Sequence, residues 1–189
     1  MSLFGNNKLA GKRIAIVATD GFEQSELEQP KKFLEDAGAE IHVISLKSGA
    51  IRGWDQKDWG TEVAVDKTIK EAQAADYDAL VLPGGQMNPD VLRADADVVE
   101  FTAEFMRAGK VVAAICHGPW TLIETGLLAG KKVTSWPSLR TDLLNAGARW
   151  SDEEVVVDKG LITSRKPADI PAFNKKIVEE ILEGLHDPR

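Results

Sequence analysis

The sequence predicts an α/β protein with a doubly wound, mostly parallel sheet and helices on both of its faces. Short apolar runs at 14–18, 41–46, 79–82 and 111–115 are typical of parallel strands that are covered on both sides. Segments with helical spacing of apolar residues separate these runs, and this alternation produces parallel strands joined by helices. Because the chain of 189 residues has no repeat and no linker, we predict a single domain over residues 1–189.

The elements of the first half follow from apolar spacing and from turn residues. Residues 22–34 carry apolar side chains at roughly helical spacing after the first strand. Residues 48–65, with three glycines and two tryptophans among charged residues, indicate an excursion or hairpin. The run Pro83-Gly84-Gly85 stops the third strand. Asn88 and Pro89 are then predicted as the N-cap and first position of a helix that continues over 98–106.

The second half continues the alternation after the strand that ends at Cys116. We predict a short helix, a strand and a longer helix in turn, at 121–123, 132–134 and 139–145. Two strands are then expected around an Asp-Lys-Gly turn, at 155–157 and 161–163. A terminal helix follows at 167–185.

Composition excludes several classes of partner. The net charge of -7 leaves no basic surface for nucleic-acid phosphates or anionic lipid. No apolar stretch approaches the length of a membrane span, and residues 1–7 lack the features of a signal peptide. One cysteine excludes an intrachain disulfide and suits a reducing compartment, so we expect a cytoplasmic protein. Scattered histidines and the lack of a phosphate-binding glycine motif predict no metal and no cofactor.

Cys116 is the main candidate for chemistry because it directly follows an apolar strand. Ligands bind outside the carboxyl ends of strands in open α/β sheets, and Gly118-Pro119 suits a sharp turn into a helix. Amides at the start of that helix would favour the thiolate. His117 has the titration range of a base and acid, although adjacent side chains on a regular helix diverge by about 100°. A buried core cysteine is the alternative interpretation.

Three further positions are expected at the same edge of the sheet. Glu23 follows the first strand, and Gly84-Gly85 follows the third. Backbone amides of the two glycines would face the nucleophile as an oxyanion hole, and a plain tight turn is the alternative. For Glu23 and Asp90 the alternative is an acid stabilised by a helix dipole in the first turn.

Together these motifs resemble the PfpI-type intracellular proteases. That family belongs to the superfamily of the Parkinson-linked DJ protein and the class I glutamine amidotransferases. The resemblance rests on Glu23, on residues 83–85 and 89–90, and on Ala114-Ile115-Cys116-His117-Gly118-Pro119, and it runs from about 12 to 182. It implies one amidotransferase-like domain, of PfpI type, with a flavodoxin-like sheet.

The resemblance also implies a role for each of these residues. Cys116 would be the nucleophile, beside His117 in a sharp turn. Glu23 would lie next to the sulfur, remain protonated and stabilise the thiolate through a hydrogen bond. The amides of Gly85 and His117 would form the oxyanion hole, with Gly84 beside them.

Asp90 and Trp120 mark departures from the family proteases. The acid of the triad comes from a neighbouring subunit in that family, so Asp90 implies a homodimer or a higher homo-oligomer. Asp90 stands where glutamate is usual, and the spacing before it is one residue longer. Trp120 replaces a small or amide residue and would narrow the substrate pocket.

The aspartate form resembles the bacterial stress-protein branch, to which deglycase and glyoxalase activities are assigned. We therefore predict a stress-response cysteine hydrolase that repairs methylglyoxal or glyoxal adducts of small amines, thiols or peptides. Nucleic acid enters only as a glycated substrate, and free methylglyoxal would be hydrated by the same thiol. The alternatives are an intracellular cysteine peptidase and a redox-sensing stress protein or chaperone. A glutaminase is disfavoured because the downstream histidine and glutamate of the amidotransferases are missing.

Overall fold

The computed structural model describes residues 7–187 and confirms the doubly wound α/β architecture. Its strands are β1 (Arg13–Val17), β2 (Phe22–Glu23), β3 (Glu40–Ser45), β4 (Ala50–Asp55), β5 (Asp58–Ala64), β6 (Lys67–Thr68), β7 (Ala79–Leu82), β8 (Val111–Ile115), β9 (Lys132–Val133), β10 (Arg149–Trp150), β11 (Val155–Asp158) and β12 (Leu161–Ser164). Its α-helices are α1 (Gln24–Asp36), α2 (Met87–Arg93), α3 (Ala96–Arg107), α4 (Pro119–Glu124), α5 (Arg140–Asn145) and α6 (Ile170–Glu183). Residues 1–6, on which the signal-peptide prediction depends, lie outside the described residues.

The central sheet has seven strands in the order β11-β12-β8-β7-β1-β3-β6. Every neighbouring pair is parallel except β11 and β12, which form the antiparallel pair predicted around the Asp-Lys-Gly turn. The chain moves outward from β1 to β3 on one side and returns to β7 on the other. The carboxyl ends of β1, β7 and β8 therefore lie side by side at the switch point, where such sheets bind ligands.

Each face of the sheet buries its own apolar layer. Alternate residues of β1 divide between the two layers, with Ile14 and Ile16 on one face and Ala15 and Val17 on the other. Helices α1 and α6 cover the first face, and α3, α4 and α5 cover the second. The longest helix, α6, has 14 residues. Within residues 7–187 no helix is both long and apolar enough to cross a bilayer.

The predicted excursion at 48–65 is a hairpin outside the main sheet. Strands β4 and β5 pair antiparallel, and β2 pairs parallel with β4 to form a small sheet of its own. The hairpin tip places Trp54 against Trp59, edge to face, with the ring centroids 5.6 Å apart. The glycine-rich and tryptophan-rich composition of this segment is thus explained by a small, partly exposed sheet.

Asn88 is not the helix N-cap that its sequence position predicts. Helix α2 begins at Met87, two residues before the predicted first position, and the Asn88 side chain is fully buried. The predicted continuation over 98–106 is a separate helix, α3. Its Oδ1 accepts a hydrogen bond from Thr19 N–H at 2.7 Å, and its Nδ2 donates to the carbonyls of Pro83 and Gly84 at 3.0 and 3.1 Å. Asn88 therefore joins the loops that follow β1 and β7, and its buried amide is satisfied by one distant partner, Thr19, and two nearby carbonyls.

Candidate functional site

Cys116 occupies a strained turn between β8 and α4. Its φ of +62° lies in the left-handed region, which residues other than glycine adopt only under constraint from their surroundings. The following turn needs Gly118, because a Cβ there would lie 2.5 Å from the carbonyl oxygen of Leu82. Gly118 N–H donates to Ile115 O at 2.8 Å and closes the turn. The sulfur is thus presented at the carboxyl edge of the sheet, in the manner of a nucleophile elbow.

The turn brings the side chains of Cys116 and His117 into contact. His117 Nδ1 lies 3.3 Å from Cys116 Sγ, so the divergence expected of adjacent residues on a regular helix does not occur. In the described part of the chain this sulfur is the only side-chain hydrogen-bond partner of His117. Burial lowers the pKa of His117, which keeps the imidazole neutral at neutral pH and able to accept a proton.

The carboxyl group beside the sulfur belongs to Glu26, and the prediction of Glu23 for this position is wrong. Glu26 lies in the first turn of α1, is fully buried and lies close enough to Cys116 for each group to shift the pKa of the other. Its Oε2 accepts from Gly84 N–H at 2.8 Å. Glu23 precedes the helix at its N-cap position, where its Oε1 accepts from Ser25 Oγ at 3.0 Å. Its helical spacing from Leu27, Pro30 and Leu34 could have identified Glu26 in the sequence, because these residues form the buried face of α1.

Burial controls the ionisation of this pair. Burial raises the pKa of Glu26 to about 8. The hydrogen bond from Gly84 lowers this pKa, and the nearby charge of Glu23 raises it further. Burial also raises the pKa of the Cys116 thiol, and the Glu26 charge adds to this effect. The amides of Gly85 and His117 act in the opposite direction. The amide of His117 therefore favours the thiolate as predicted, and burial of the sulfur opposes it.

The raised pKa of Glu26 makes the stability of the protein depend on pH. The folded state holds its proton up to about pH 8, whereas the unfolded carboxyl releases it near 4.5. The free energy of unfolding should therefore fall as pH rises between these values. Between pH 5.5 and 7.5 the free energy of unfolding of the wild type should fall by about 2 kcal/mol through this group. The Glu26→Gln variant should not show this fall. Urea unfolding at both pH values measures it, and equal pH dependence in the two proteins would contradict the assignment.

The two glycines after β7 have different tasks. The amide of Gly84 bonds to Glu26. The amide of Gly85 lies near the Glu26 carboxyl as well, and together with the amide of His117 it faces the Cys116 sulfur. These last two are the amides predicted for an oxyanion hole. Gly85 has φ of +78°, and a Cβ there would lie 2.6 Å from Glu23 N and 2.6 Å from Gly21 O. A glycine is therefore required to bring this amide to the sulfur.

Two tryptophans enclose His117. Trp120, predicted at the pocket, contacts the imidazole edge to face with ring centroids 5.1 Å apart. Trp136, which sequence reasoning missed, stacks on the imidazole at 6.0 Å with 23° between the planes. The backbone N–H of Trp136 also donates a hydrogen bond to the backbone carbonyl of Cys116 at 2.9 Å. The sequence feature that could have identified Trp136 is its position shortly after strand β9, two residues beyond the buried Thr134.

Asp90 does not reach His117 within one chain. It lies in the first turn of α2, is exposed, and makes no hydrogen bond to the imidazole. Met87 and Val91, on the same side of α2, are 40% and 48% exposed. The role of Asp90 in a neighbouring subunit stays a prediction.

His186 lies beside Glu180 and Glu183. Ligand atoms of the three side chains fall within 4.8 Å of one another. His186 Nε2 lies 3.3 Å from Glu180 Oε2, which also accepts from Gly160 N–H at 3.1 Å. The His186 amide donates to Gly109 O at 2.8 Å. These contacts hold the segment after α6 against the turn before β12.

Comparison with known proteins finds relatives over most of the chain. The sequence matches the DJ-1/PfpI family over residues 12–180. It is 48% identical to General stress protein 18 of Bacillus subtilis, over 88% of this chain and 95% of that protein. It is 45% identical to Protein/nucleic acid deglycase 2 of Escherichia coli, over 87% and 95% of the two chains. A crystal structure from Anabaena variabilis, of a two-domain protein with dj-1/thij/pfpi-like and ferritin-like domains, has a TM-score of 0.85 at 40% identity; the match covers 90% of this chain and 48% of that one.

Proposed function

The chain belongs to the DJ-1/PfpI family, and on that premise we propose that it is a cysteine hydrolase that removes methylglyoxal and glyoxal adducts from amines and thiols. The observation that carries the proposal is the Cys116 sulfur, 3.3 Å from a neutral imidazole and faced by two backbone amides. The relative named Protein/nucleic acid deglycase 2 supports this choice among hydrolases. The relative named General stress protein 18 supports a role under stress.

The proposed first step transfers the dicarbonyl unit to the enzyme. His117 takes the thiol proton, and the sulfur of Cys116 attacks the carbon that joins the adduct to the amine or thiol. The carbon–nitrogen or carbon–sulfur bond breaks, and His117 returns the proton to the leaving group. Protonated Glu26 donates a hydrogen bond to the sulfur while negative charge develops there. The sulfur then carries a hydroxyl-bearing carbon next to the ketone.

The proposed second step converts this unit into an acid. A proton and an electron pair move from the sulfur-bearing carbon to the ketone carbon, so the first carbon is oxidised and the second is reduced. The amides of Gly85 and His117 stabilise the negative oxygen that forms on the way to the thioester. Water cleaves the thioester and releases lactate, or glycolate from glyoxal, with the free thiol. One water is consumed, and no external oxidant or reductant is needed.

The burial of the site favours a small substrate over a polypeptide. In a single chain Cys116 is 7% exposed and His117 is 9% exposed. A dicarbonyl unit of a few atoms reaches a sulfur at such depth, whereas a protease needs an extended groove beside its nucleophile. This burial therefore favours deglycation over the peptidase alternative.

The experiment supplies the methylglyoxal adduct of N-acetylcysteine and follows both the loss of adduct and the formation of lactate. Adducts also dissociate spontaneously, so an enzyme that consumes only free methylglyoxal cannot clear them faster than a chemical scavenger does. We expect clearance faster than in a protein-free sample that contains excess scavenger, with one lactate for each thiol released. The same assay with an arginine adduct extends the result to amines.

Each alternative gives a different result in this assay. Lactate formation without faster clearance than the scavenger would replace the deglycase with a glyoxalase. Cleavage of casein or gelatin without lactate would indicate a peptidase. The addition of two oxygens to Cys116 by peroxide, without turnover of any substrate, would indicate a redox sensor.

We further propose that two chains share each site through Asp90. The exposed apolar side chains of Met87 and Val91 flank Asp90 on α2, which suits a surface buried in a homodimer. His117 lacks a carboxylate partner within the described part of its own chain, so a partner's acid has a group to orient. A higher homo-oligomer would retain this contact.

Subunit mixing tests the shared site. Cys116→Ser and Asp90→Ala chains, each of low activity alone, are dissociated together and reassociated. Half of the dimers then contain both chains, and one site in each has Cys116 and Asp90, so roughly a quarter of the wild-type activity should return. No recovery in a mixture that has exchanged its subunits would contradict the proposal. A fully active monomer would also contradict it.

A further inference from the structure

Trp120 and Trp136 contact the catalytic imidazole from two directions, and neither has a task in the proposed reaction. We infer that the two indoles form a clamp that holds the His117 ring with Nδ1 against the Cys116 sulfur. Both are then positioning residues for the proton transfer. The kinetic consequence of the clamp rests on the proposed function, whereas its effect on the imidazole does not.

The two contacts restrict different motions of the ring. Trp136 stacks at 23° and 6.0 Å and limits displacement along the normal of the imidazole plane. Trp120 stands at 65° and 5.1 Å and packs on the ring from a second direction, so the two indoles together limit rotation about the outer side-chain torsion. The outer torsion of a histidine side chain has broad minima, so one hydrogen bond to sulfur is a weak constraint. Packing from two sides is therefore needed to keep Nδ1 on the sulfur.

Groups outside the site anchor each indole. Trp120 Nε1 donates to Asp142 Oδ2 at 3.0 Å, and the Arg93 guanidinium lies 5.5 Å from the Trp120 ring centroid. The backbone of Trp136 is fixed by its N–H bond to Cys116 O at 2.9 Å and by Ser135 Oγ, which donates to Trp136 O at 2.8 Å. Trp120 is thus linked to helices α2 and α5, and Trp136 to the turn that carries the sulfur.

The exposure of Trp136 argues for a task in the site more than in the core. The residue is 39% exposed, whereas the imidazole against which it stacks is 9% exposed. Such an exposed indole contributes little to core packing, and its buried side shields His117 from water. The truncation Trp136→Ala should therefore admit water to one face of the imidazole without a large loss of stability.

The charged groups around His117 leave burial as the main influence on its titration. Glu26 lies behind the Cys116 sulfur. Asp142 is hydrogen-bonded to Trp120, and Arg93 is paired with Glu124 on α4. Burial lowers the pKa of His117, so loss of the Trp136 shield should raise it towards the ordinary value near 6.5.

The test compares Trp136→Ala with Trp136→Phe, which keeps a stacking ring. Trp59→Ala is the matched control, since Trp59 is 42% exposed and contacts Trp54 and Arg52 on the hairpin. NMR titration of the imidazole, assigned with a His117→Gln variant, should show a raised pKa only in Trp136→Ala. The kcat for lactate release should fall roughly tenfold in Trp136→Ala with KM within about twofold, and Trp136→Phe should restore most of it.

An unchanged His117 titration in Trp136→Ala would overturn the clamp. Equal losses of kcat in the alanine and phenylalanine variants would also overturn it, because stacking would then be irrelevant. A wild-type protein that turns over no adduct would defeat the proposed function alone. The NMR titration uses no substrate and would still decide the clamp.

Discussion

Replacement of Cys116 with serine is expected to lower kcat/KM for lactate release by at least about a thousandfold. A serine hydroxyl ionises far less readily than a thiol, and the imidazole of His117, whose pKa is lowered by burial, is a weak base for it. Serine also forms a poorer leaving group in the final hydrolysis. Lactate release from the N-acetylcysteine adduct measures the effect.

The serine variant should keep the fold, so that lost activity is not lost structure. Serine has the shape of cysteine and faces the same strain at a φ of +62°. Its thermal unfolding should therefore stay close to that of the wild type. In denaturant, iodoacetamide should label one thiol per wild-type chain and none in the variant, since Cys116 is the only cysteine. Retained activity in this variant would place the nucleophile elsewhere.

Gly85→Ala is expected to destabilise the protein by roughly 2–5 kcal/mol, from left-handed strain and steric overlap together. The new Cβ would lie 2.6 Å from Glu23 N and from Gly21 O, both of which are backbone atoms. The loop after β7 must then shift, and the Gly85 amide moves away from the sulfur. Activity should therefore fall further than the loss of folded protein explains, as urea unfolding and kinetics on the same sample would show.

Gly126→Ala provides the matched control for this substitution. Gly126 has a φ of +70°, close to the +78° of Gly85, but a Cβ there meets no atom within 4 Å. Gly126→Ala should lower the free energy of unfolding by the left-handed strain alone, about 1–2 kcal/mol. The difference between the two variants isolates the steric overlap with the backbone of Gly21 and Glu23. Equal costs for both variants would show that the loop after β7 relaxes freely.

The sequence alone placed the central strands and the cysteine correctly. The apolar runs that became β1, β3, β7 and β8 are short and uninterrupted, which is the pattern of strands covered on both faces. Gly118-Pro119 predicted the turn after Cys116. These features depend on neighbours in the chain, so local reasoning captures them.

The choice between Glu23 and Glu26 could not be made in the same way. Both are acids near the start of one helix, and either could face the sheet if the helix began one residue earlier or later. Tertiary packing decided the start of α1 at Gln24, which turned Glu26 inward and left Glu23 at the cap. Asn88 is a similar case, because its partner Thr19 is distant in sequence and lies in the loop after β1.

Sequence by itself determined the order of the main strands and helices, the edge of the sheet at which the candidate site lies and the candidate sulfur there. Only the tertiary structure decided which carboxyl group meets that sulfur, how far burial suppresses its ionisation, and that Trp136 packs on the imidazole. The physical reason is the distance along the chain over which each effect acts. Hydrophobic periodicity and turn preferences depend on a few neighbouring residues, whereas desolvation and side-chain contacts depend on segments that only folding brings together.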